Sequence, residues 1–129
     1  MSDMTNYLEE QLLKAVVNGE TFTGPTALYV ALFTSNPTET GTAGNEVSDS
    51  SYSRQLVTFT QPIDSTVSNT ELIEFPPATT PYGTVTHIGI FDNSTGGNLL
   101  FYKELANPIE VLEGTGIRIA TGELTISLD

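Results

Sequence analysis

His87 is the only histidine in this sequence of 129 residues and the first candidate for acid–base chemistry. It follows Val85 and Thr86 in a run whose alternate side chains would face opposite sides of a strand. A general base needs a nucleophile and an orienting group beside it, and no motif in the sequence supplies them. A histidine-based metal site needs a second His or a Cys. We therefore interpret His87 as a half-buried, hydrogen-bonded structural residue and predict no catalytic residues.

Residues 92–96 (DNSTG) form the segment that most resembles a metal-binding loop. Oxygen-bearing side chains alternate before a glycine, as in some calcium sites. However, Asp92 is the only carboxylate, and no acidic residue closes the loop as in an EF-hand. The alternative is a hairpin turn in which Asp92 and Asn93 accept hydrogen bonds from local backbone amides. The sequence favours the turn, and we predict no metal ligands.

The remaining candidate groups do not converge on a reaction. Glu9 and Glu10 are adjacent, so they would leave a helix in different directions and not act as a pair. Residues 114–116 (GTG) lack the lysine of a phosphate-binding loop. Cysteine is absent, which excludes cysteine nucleophiles, thiolate zinc sites and disulfides. We expect no cofactor and a function carried by surfaces rather than by an active site.

The charge of the chain limits its partners. The formal net charge is −12, and the positive residues are Lys14, Arg54, Lys103 and Arg118. Such a surface repels phosphate backbones and anionic lipids, so we predict binding to neither nucleic acid nor membranes. The first residues do not form a secretory signal, and no apolar run is long enough to span a bilayer.

Two similar segments set the expected fold class. Residues 29–36 (YVALFTSN) and 87–94 (HIGIFDNS) are largely aliphatic, and each has a small residue at its centre, Ala31 or Gly89. Each then reaches a Phe and enters a polar turn. This pattern is typical of central strands in an antiparallel β-sandwich. We therefore predict a mainly β fold.

One helix is predicted before the strands, over residues 6–18. Asn6 would cap it, with Glu9 three residues later as in a capping box, and Gly19 would end it. One face of this helix would pack on the rest of the protein because its apolar residues recur at helical spacing. The residues on that face are Leu8, Leu12, Ala15 and Val16.

Strands are expected from about residue 27 onward. They cover residues 27–34, 52–60, 71–75, 84–91, 98–104, 109–112, 117–120 and 124–128, with turns at 95–97, 107–108, 113–116 and 121–122. Residues 35–51 are polar and predict a long exposed loop. No linker divides the chain, so residues 1–129 are expected to form one domain. The predicted core consists of Leu28, Val30, Leu32, Val57, Phe59, Ile73, Phe75, Ile88, Ile90, Phe91, Leu100, Ile117, Ile119, Leu124 and Ile126.

Several of these segments together resemble a family. The segments are 8–19 (LEEQLLKAVVNG), 28–37 (LYVALFTSNP), 53–59 (SRQLVTF), 83–92 (GTVTHIGIFD), 96–101 (GGNLLF) and 122–129 (GELTISLD). In this order they are similar to small proteins of tailed bacteriophages that are commonly labelled tail fibre proteins. The resemblance covers nearly the whole chain and implies a structural protein of the virion without catalytic residues.

The resemblance also implies partners. We expect contacts with other virion proteins, either tail or major capsid subunits, and with a host-surface receptor. Because sandwich edges must be covered and lysines are few, we expect a homo-oligomer, and a trimer is favoured over a dimer. A capsid decoration protein that stabilises the head is the main alternative, since it would share the same size and architecture. A carbohydrate-active enzyme is the remaining alternative.

Overall fold

The computed structural model of this protein describes residues 3–128. It contains one helix, α1, and nine strands, β1 to β9. Their bounds, in chain order, are β1 Asp3–Met4, α1 Asn6–Val17, β2 Leu28–Phe33, β3 Gln55–Val57, β4 Thr66–Ser68, β5 Ile73–Glu74, β6 Gly83–Phe91, β7 Leu99–Val111, β8 Arg118–Ile119 and β9 Thr125–Ser127. The predicted mainly β fold with an N-terminal helix is confirmed.

The strands form two layers around an apolar core. One layer is a five-stranded antiparallel sheet with the order β1-β7-β6-β2-β3. The pairs β4-β9 and β5-β8 contribute to the other layer. The first face of the large sheet packs against these pairs, because Val30 and Ile90 share a cluster with Ile73 and Ile126. The predicted antiparallel sandwich is therefore present.

The predicted core residues lie inside this fold. Twelve of the fifteen are buried, and Leu28, Phe59 and Ile119 are partly buried and packed against the core. Further buried residues come from positions that the alternation pattern did not mark. They include Val47, Ala78, Tyr82, Val85, Leu99, Tyr102 and Val111. Several of these lie at strand ends or in loops, where a period of two gives no signal.

The small residues Ala31 and Gly89 are direct cross-strand partners on β2 and β6. They belong to the second face of the large sheet, where a smaller apolar cluster includes Phe33 and Leu99. A Cβ on Gly89 would lie 2.7 Å from the Leu99 Cδ1 atom and 3.0 Å from the Phe33 Cε1 atom. The missing side chain is therefore what allows these larger groups to lie against the sheet.

We expect Gly89→Ala to lower the free energy of unfolding by about 1–3 kcal/mol, because the added methyl group overpacks a filled site. Gly24→Ala is the matched control, since a Cβ there would meet nothing within 4 Å. It should change stability by no more than about 0.5 kcal/mol. Urea denaturation followed by circular dichroism measures both. Equal stabilities for the two variants would contradict this account of the Ala31–Gly89 pair.

The start of α1 differs from the prediction. Thr5, not Asn6, is the N-cap residue, and no side-chain capping hydrogen bond forms. The Thr5 hydroxyl instead donates to the carbonyl oxygen of Leu99 at 2.6 Å, and Thr5 is fully buried. Docking of the chain on β7 therefore determines where the helix begins. The predicted stop is correct, since Gly19 adopts a left-handed φ of 70° directly after the C-cap residue Asn18.

The packed face of α1 is narrower than predicted. Leu8 is buried, whereas Leu12 and Ala15 are partly buried. Val16 was expected on this face but is 81% exposed. The Val16 side chain therefore lies outside the packed side of the helix, which is the side that carries Leu8.

The largest difference in the sheet concerns β7. A turn at residues 107–108 was predicted to separate two strands, but β7 is continuous from Leu99 to Val111. Its register against β6 shifts between the pairs His87–Glu104 and Val85–Ile109, so residues 105–108 form a bulge. Pro108 is tolerated there because a bulge does not need its missing N–H group. The short strands β1 and β4 were not predicted.

Candidate interaction surfaces

The polar segment of residues 35–51 is held against the sheet. It was predicted to be an exposed loop, but Val47 is buried in the core and Pro37 is fully buried. The Val47 N–H group donates to the Leu32 carbonyl oxygen at 2.9 Å, and the Thr34 N–H group donates to that of Asn45 at 2.9 Å. The predicted exposure was therefore wrong for Pro37 and Val47. The exposed part of the segment comprises residues such as Thr40 and Thr42–Asn45.

Arg54 joins this segment to the turn after β6. Its Nε and Nη2 atoms donate to the two carboxylate oxygens of Glu46, each at 2.9 Å. Its Nη1 atom donates to the carbonyl oxygens of Asn93 at 3.0 Å and Gly96 at 2.7 Å. The Arg54 side chain is only 9% exposed. A two-bond pair of this kind fixes geometry as well as charge, so the two loops are fixed relative to each other.

Aromatic side chains support the Arg54–Glu46 pair. The guanidinium carbon of Arg54 lies 3.6 Å from the ring centroid of Phe91. The Tyr52 hydroxyl donates to Glu46 at 2.6 Å and accepts from the Leu32 N–H group at 3.0 Å. Burial, and then the hydrogen bond to Glu46, raises the pKa of Tyr52 well above its usual range. Tyr52 therefore stays protonated and remains a donor to Glu46.

The turn at residues 92–97 has the structure of a hairpin connection. Asp92 Oδ1 accepts from the Asn98 N–H group at 2.7 Å, and Asp92 Oδ2 accepts from the Asn98 side chain at 3.1 Å. Gly97 has a left-handed φ of 73°, and a Cβ there would lie 2.5 Å from Asp92 Oδ1. The carboxylate that was considered as a calcium ligand is therefore engaged within the turn.

Where the two loops meet, they line a cleft of about 300 Å³. Its walls come from both loops and from the strand that carries Arg54. The lining residues are Glu46, Val47, Tyr52, Ser53, Arg54, Ser94, Thr95 and Gly96. The exposed lining residues Ser53, Ser94 and Thr95 carry hydroxyl groups, so the cleft offers hydrogen-bonding groups between two loops that Arg54 holds together.

Asp49 anchors the end of the polar segment. It accepts hydrogen bonds from the Ser51 hydroxyl, the Thr80 hydroxyl and the Thr79 hydroxyl, the last at 2.8 Å. It also accepts from the backbone N–H groups of Ser51 at 3.1 Å and Thr79 at 3.2 Å. The Ser51 and Thr80 hydroxyls hold the pKa of Asp49 far below its usual range.

This lowered pKa predicts an acid dependence of stability. The ionised Asp49 stabilises the fold above its unfolded-state pKa of about 3.9, and this contribution is lost as the pH falls below that value. We expect Asp49→Asn to be less stable than the wild type at pH 6 and the difference to narrow below about pH 4. Glu20→Gln removes the same charge from an exposed residue and should not reproduce this pattern. Thermal melting across pH measures it, and a constant difference would show that Asp49 does not titrate as described.

His87 is more buried than predicted, at 8% exposure. Its Nδ1 atom lies 2.8 Å from the hydroxyl oxygen of Thr86. Within residues 3–128, no group of three or more His, Asp or Glu side chains is arranged to hold a metal ion. Among the same residues, no helix has the length and hydrophobicity required to cross a membrane.

A second kind of surface lies on α1. Leu13, Val16 and Val17 are 61%, 81% and 71% exposed and follow one another at helical spacing. Glu9 and Glu10 lie one to two turns earlier and are also exposed. An apolar helix end of this kind is a feature of interaction sites.

Comparison with known families gives a match over nearly the whole chain. The sequence matches the family model described as podophage GP4 fiber I protein gp80 over residues 3–127, which span every strand, α1 and both loops. No curated protein matches the chain. The match confirms the predicted resemblance to phage tail fibre proteins and the predicted location in the virion. The chain therefore belongs to the podophage GP4 fiber I protein gp80 family of phage fibre proteins, which are structural components of the virion.

Proposed function

We propose that this protein is a non-enzymatic module on the exterior of a phage tail fibre, with its joined loops facing the host surface. The observation that supports this most directly is the Arg54 bridge between residues 35–51 and the turn at 92–97. A surface that must recognise a receptor gains from being fixed before contact, because less conformational freedom is lost on binding.

The exposed part of this surface is suited to many weak contacts. Its residues are small and polar, such as Thr40, Thr42, Ser94 and Thr95. The chain offers no large exposed aromatic anchor there, and such anchors usually dominate strong single interfaces. Display of several copies on one fibre would raise the overall avidity without strong individual contacts.

Attachment to the particle is assigned to the other surface. The exposed Leu13, Val16 and Val17 of α1 would be covered by an unlike virion protein. In the proposed arrangement residues 1–129 act as one domain and assemble as a homo-oligomer, with a trimer favoured. Neither nucleic acid nor a membrane is a partner, because the net charge of −12 opposes both.

Substitutions at the exposed loop tips test the host-facing role. We expect Thr42→Tyr and Thr95→Tyr to leave particles intact but slow adsorption by about tenfold or more, because small losses per copy multiply in a multivalent contact. Thr121→Tyr is the matched control, since Thr121 is exposed in a different turn, between β8 and β9. Adsorption kinetics and particle counts are the measurements, and unchanged adsorption in both loop variants would refute the host-facing surface.

The capsid decoration alternative gives a different result when the protein is removed. Particles that lack a decoration protein adsorb normally but lose their contents at a lower temperature, because the missing protein no longer stabilises the assembled head. Particles that lack a fibre module fail at adsorption and keep their heat stability. Measuring both properties on the same particles separates the two roles.

A further inference from the structure

The charges of this protein restrict where two copies can meet. With a net charge of −12, most surfaces of one copy repel those of another. Of the four cations, Arg54 is already engaged by Glu46 and nearly buried, and Lys14 lies on α1 beside Glu9 and Glu10. A symmetric contact through α1 would bring those glutamates together.

The other two cations lie at one mainly apolar cleft. Lys103 and Arg118 line a cleft of about 160 Å³ between β7 and the segment that carries β8. One carboxylate residue, Glu123, and eight apolar residues complete its lining. Its floor includes Leu32, Val85 and Ile88, which are almost completely buried core residues. A cleft of this size and lining can hold one aliphatic side chain.

Insertion of a side chain fits this cleft better than addition of a strand. Beyond Tyr102, β7 has no partner on the side of β1 within the described residues. The bulge at residues 105–108 and Pro108 nevertheless interrupt that edge, and both features oppose strand pairing. Arg118 can change partners at low cost, since its 3.0 Å pair with Glu74 is 65% and 59% exposed.

The complementary group is present on the same chain. Leu112 is 52% exposed at the end of β7, and the exposed Glu110 and Glu113 lie on either side of it. In the described residues neither glutamate forms an ion pair. An apolar side chain between two carboxylates matches a mainly apolar cleft whose charged lining residues are Lys103, Arg118 and Glu123, since the cations outnumber the carboxylate.

We propose that a second copy of this chain inserts Leu112 into the cleft, with Glu110 and Glu113 against Lys103 and Arg118. This inference rests on the proposed homo-oligomer and identifies its interface.

Exchange of charges across the contact tests it, with association measured by sedimentation velocity on the full chain. Protein concentrations up to about 1 mM detect dissociation constants up to the millimolar range. Glu113→Arg and Arg118→Glu should each weaken association by about tenfold or more, because each places like charges together. The double variant should restore it. In an equimolar mixture of the two single variants, favourable contacts form only between unlike variants, so the two must alternate around a ring. The mixture therefore restores dimers and other even-numbered rings but not a trimer.

Controls of equal charge change are Glu20→Arg and Lys14→Glu, which should leave association unchanged. Leu112→Ser removes the inserted group and should weaken association about tenfold, without altering the melting temperature measured at concentrations low enough for the chain to be monomeric. An oligomer that tolerates all of these changes would overturn the assigned interface and leave the homo-oligomer standing. A wild-type chain that stays monomeric in solution would also overturn it, and cross-linking within particles then decides whether copies meet at all.

Discussion

Ile90→Ala is expected to lower the free energy of unfolding by about 2–5 kcal/mol, because it removes buried methyl groups and leaves a cavity. Ile90 is 3% exposed in β6, and its side chain faces the residues of the opposite layer. The cost is high because the neighbouring strands pair on both sides of β6 and cannot move inward independently.

Ile63→Ala provides a control with identical chemistry. Ile63 is 73% exposed in the hairpin before β4, so its truncation should change stability by no more than about 0.5 kcal/mol. Urea denaturation of both variants, with the slope compared as well as the midpoint, gives the difference directly. Similar losses in the free energy of unfolding for the Ile63 and Ile90 variants would mean that Ile90 is not part of a core between the two layers.

Arg54→Ala is expected to cost about 3 kcal/mol, the lower end for removing one partner of a buried ion pair. The lower end applies because Glu46 is 26% exposed and keeps its hydrogen bond to Tyr52. The variant also leaves the Asn93 and Gly96 carbonyl oxygens without a donor. The turn at residues 92–97 should therefore become more mobile, and its amide protons should exchange faster with solvent.

Arg118→Ala is the natural comparison, because Arg118 also pairs with a glutamate at 3.0 Å but on an open surface. Its removal should cost about 0–1 kcal/mol when measured at low protein concentration. Arg54→Lys adds a second control, since a lysine keeps the charge but lacks the planar fork that reaches Glu46 and the turn together. If Arg54→Lys were as stable as the wild type, charge alone rather than the bridging geometry would hold the loops.

Local sequence patterns were sufficient to predict most of the longer secondary-structure elements. Alternation and apolar runs predicted β2, β6 and β9, and helical spacing with Gly19 predicted α1, because each signal lies within a few consecutive residues. The similar small residues Ala31 and Gly89 also indicated equivalent central strands, and the structure places them opposite each other. The family was recognisable for the same reason, since its segments are continuous in the sequence.

The candidate surface depended on contacts between distant residues. Nothing near Arg54 indicates that its partners are Glu46 and the turn at residues 93–96, and nothing near Asp49 indicates Thr79 and Thr80. Val47 is an isolated apolar residue in a polar segment, so its burial follows only from pairing beside Leu32. The sequence by itself determined which segments are strands and helix, through the periodicity of side chains along the backbone. The tertiary structure decided which polar loops are joined, which residues cap and anchor them, and which apolar groups stay exposed, because those outcomes depend on packing between residues far apart in the chain.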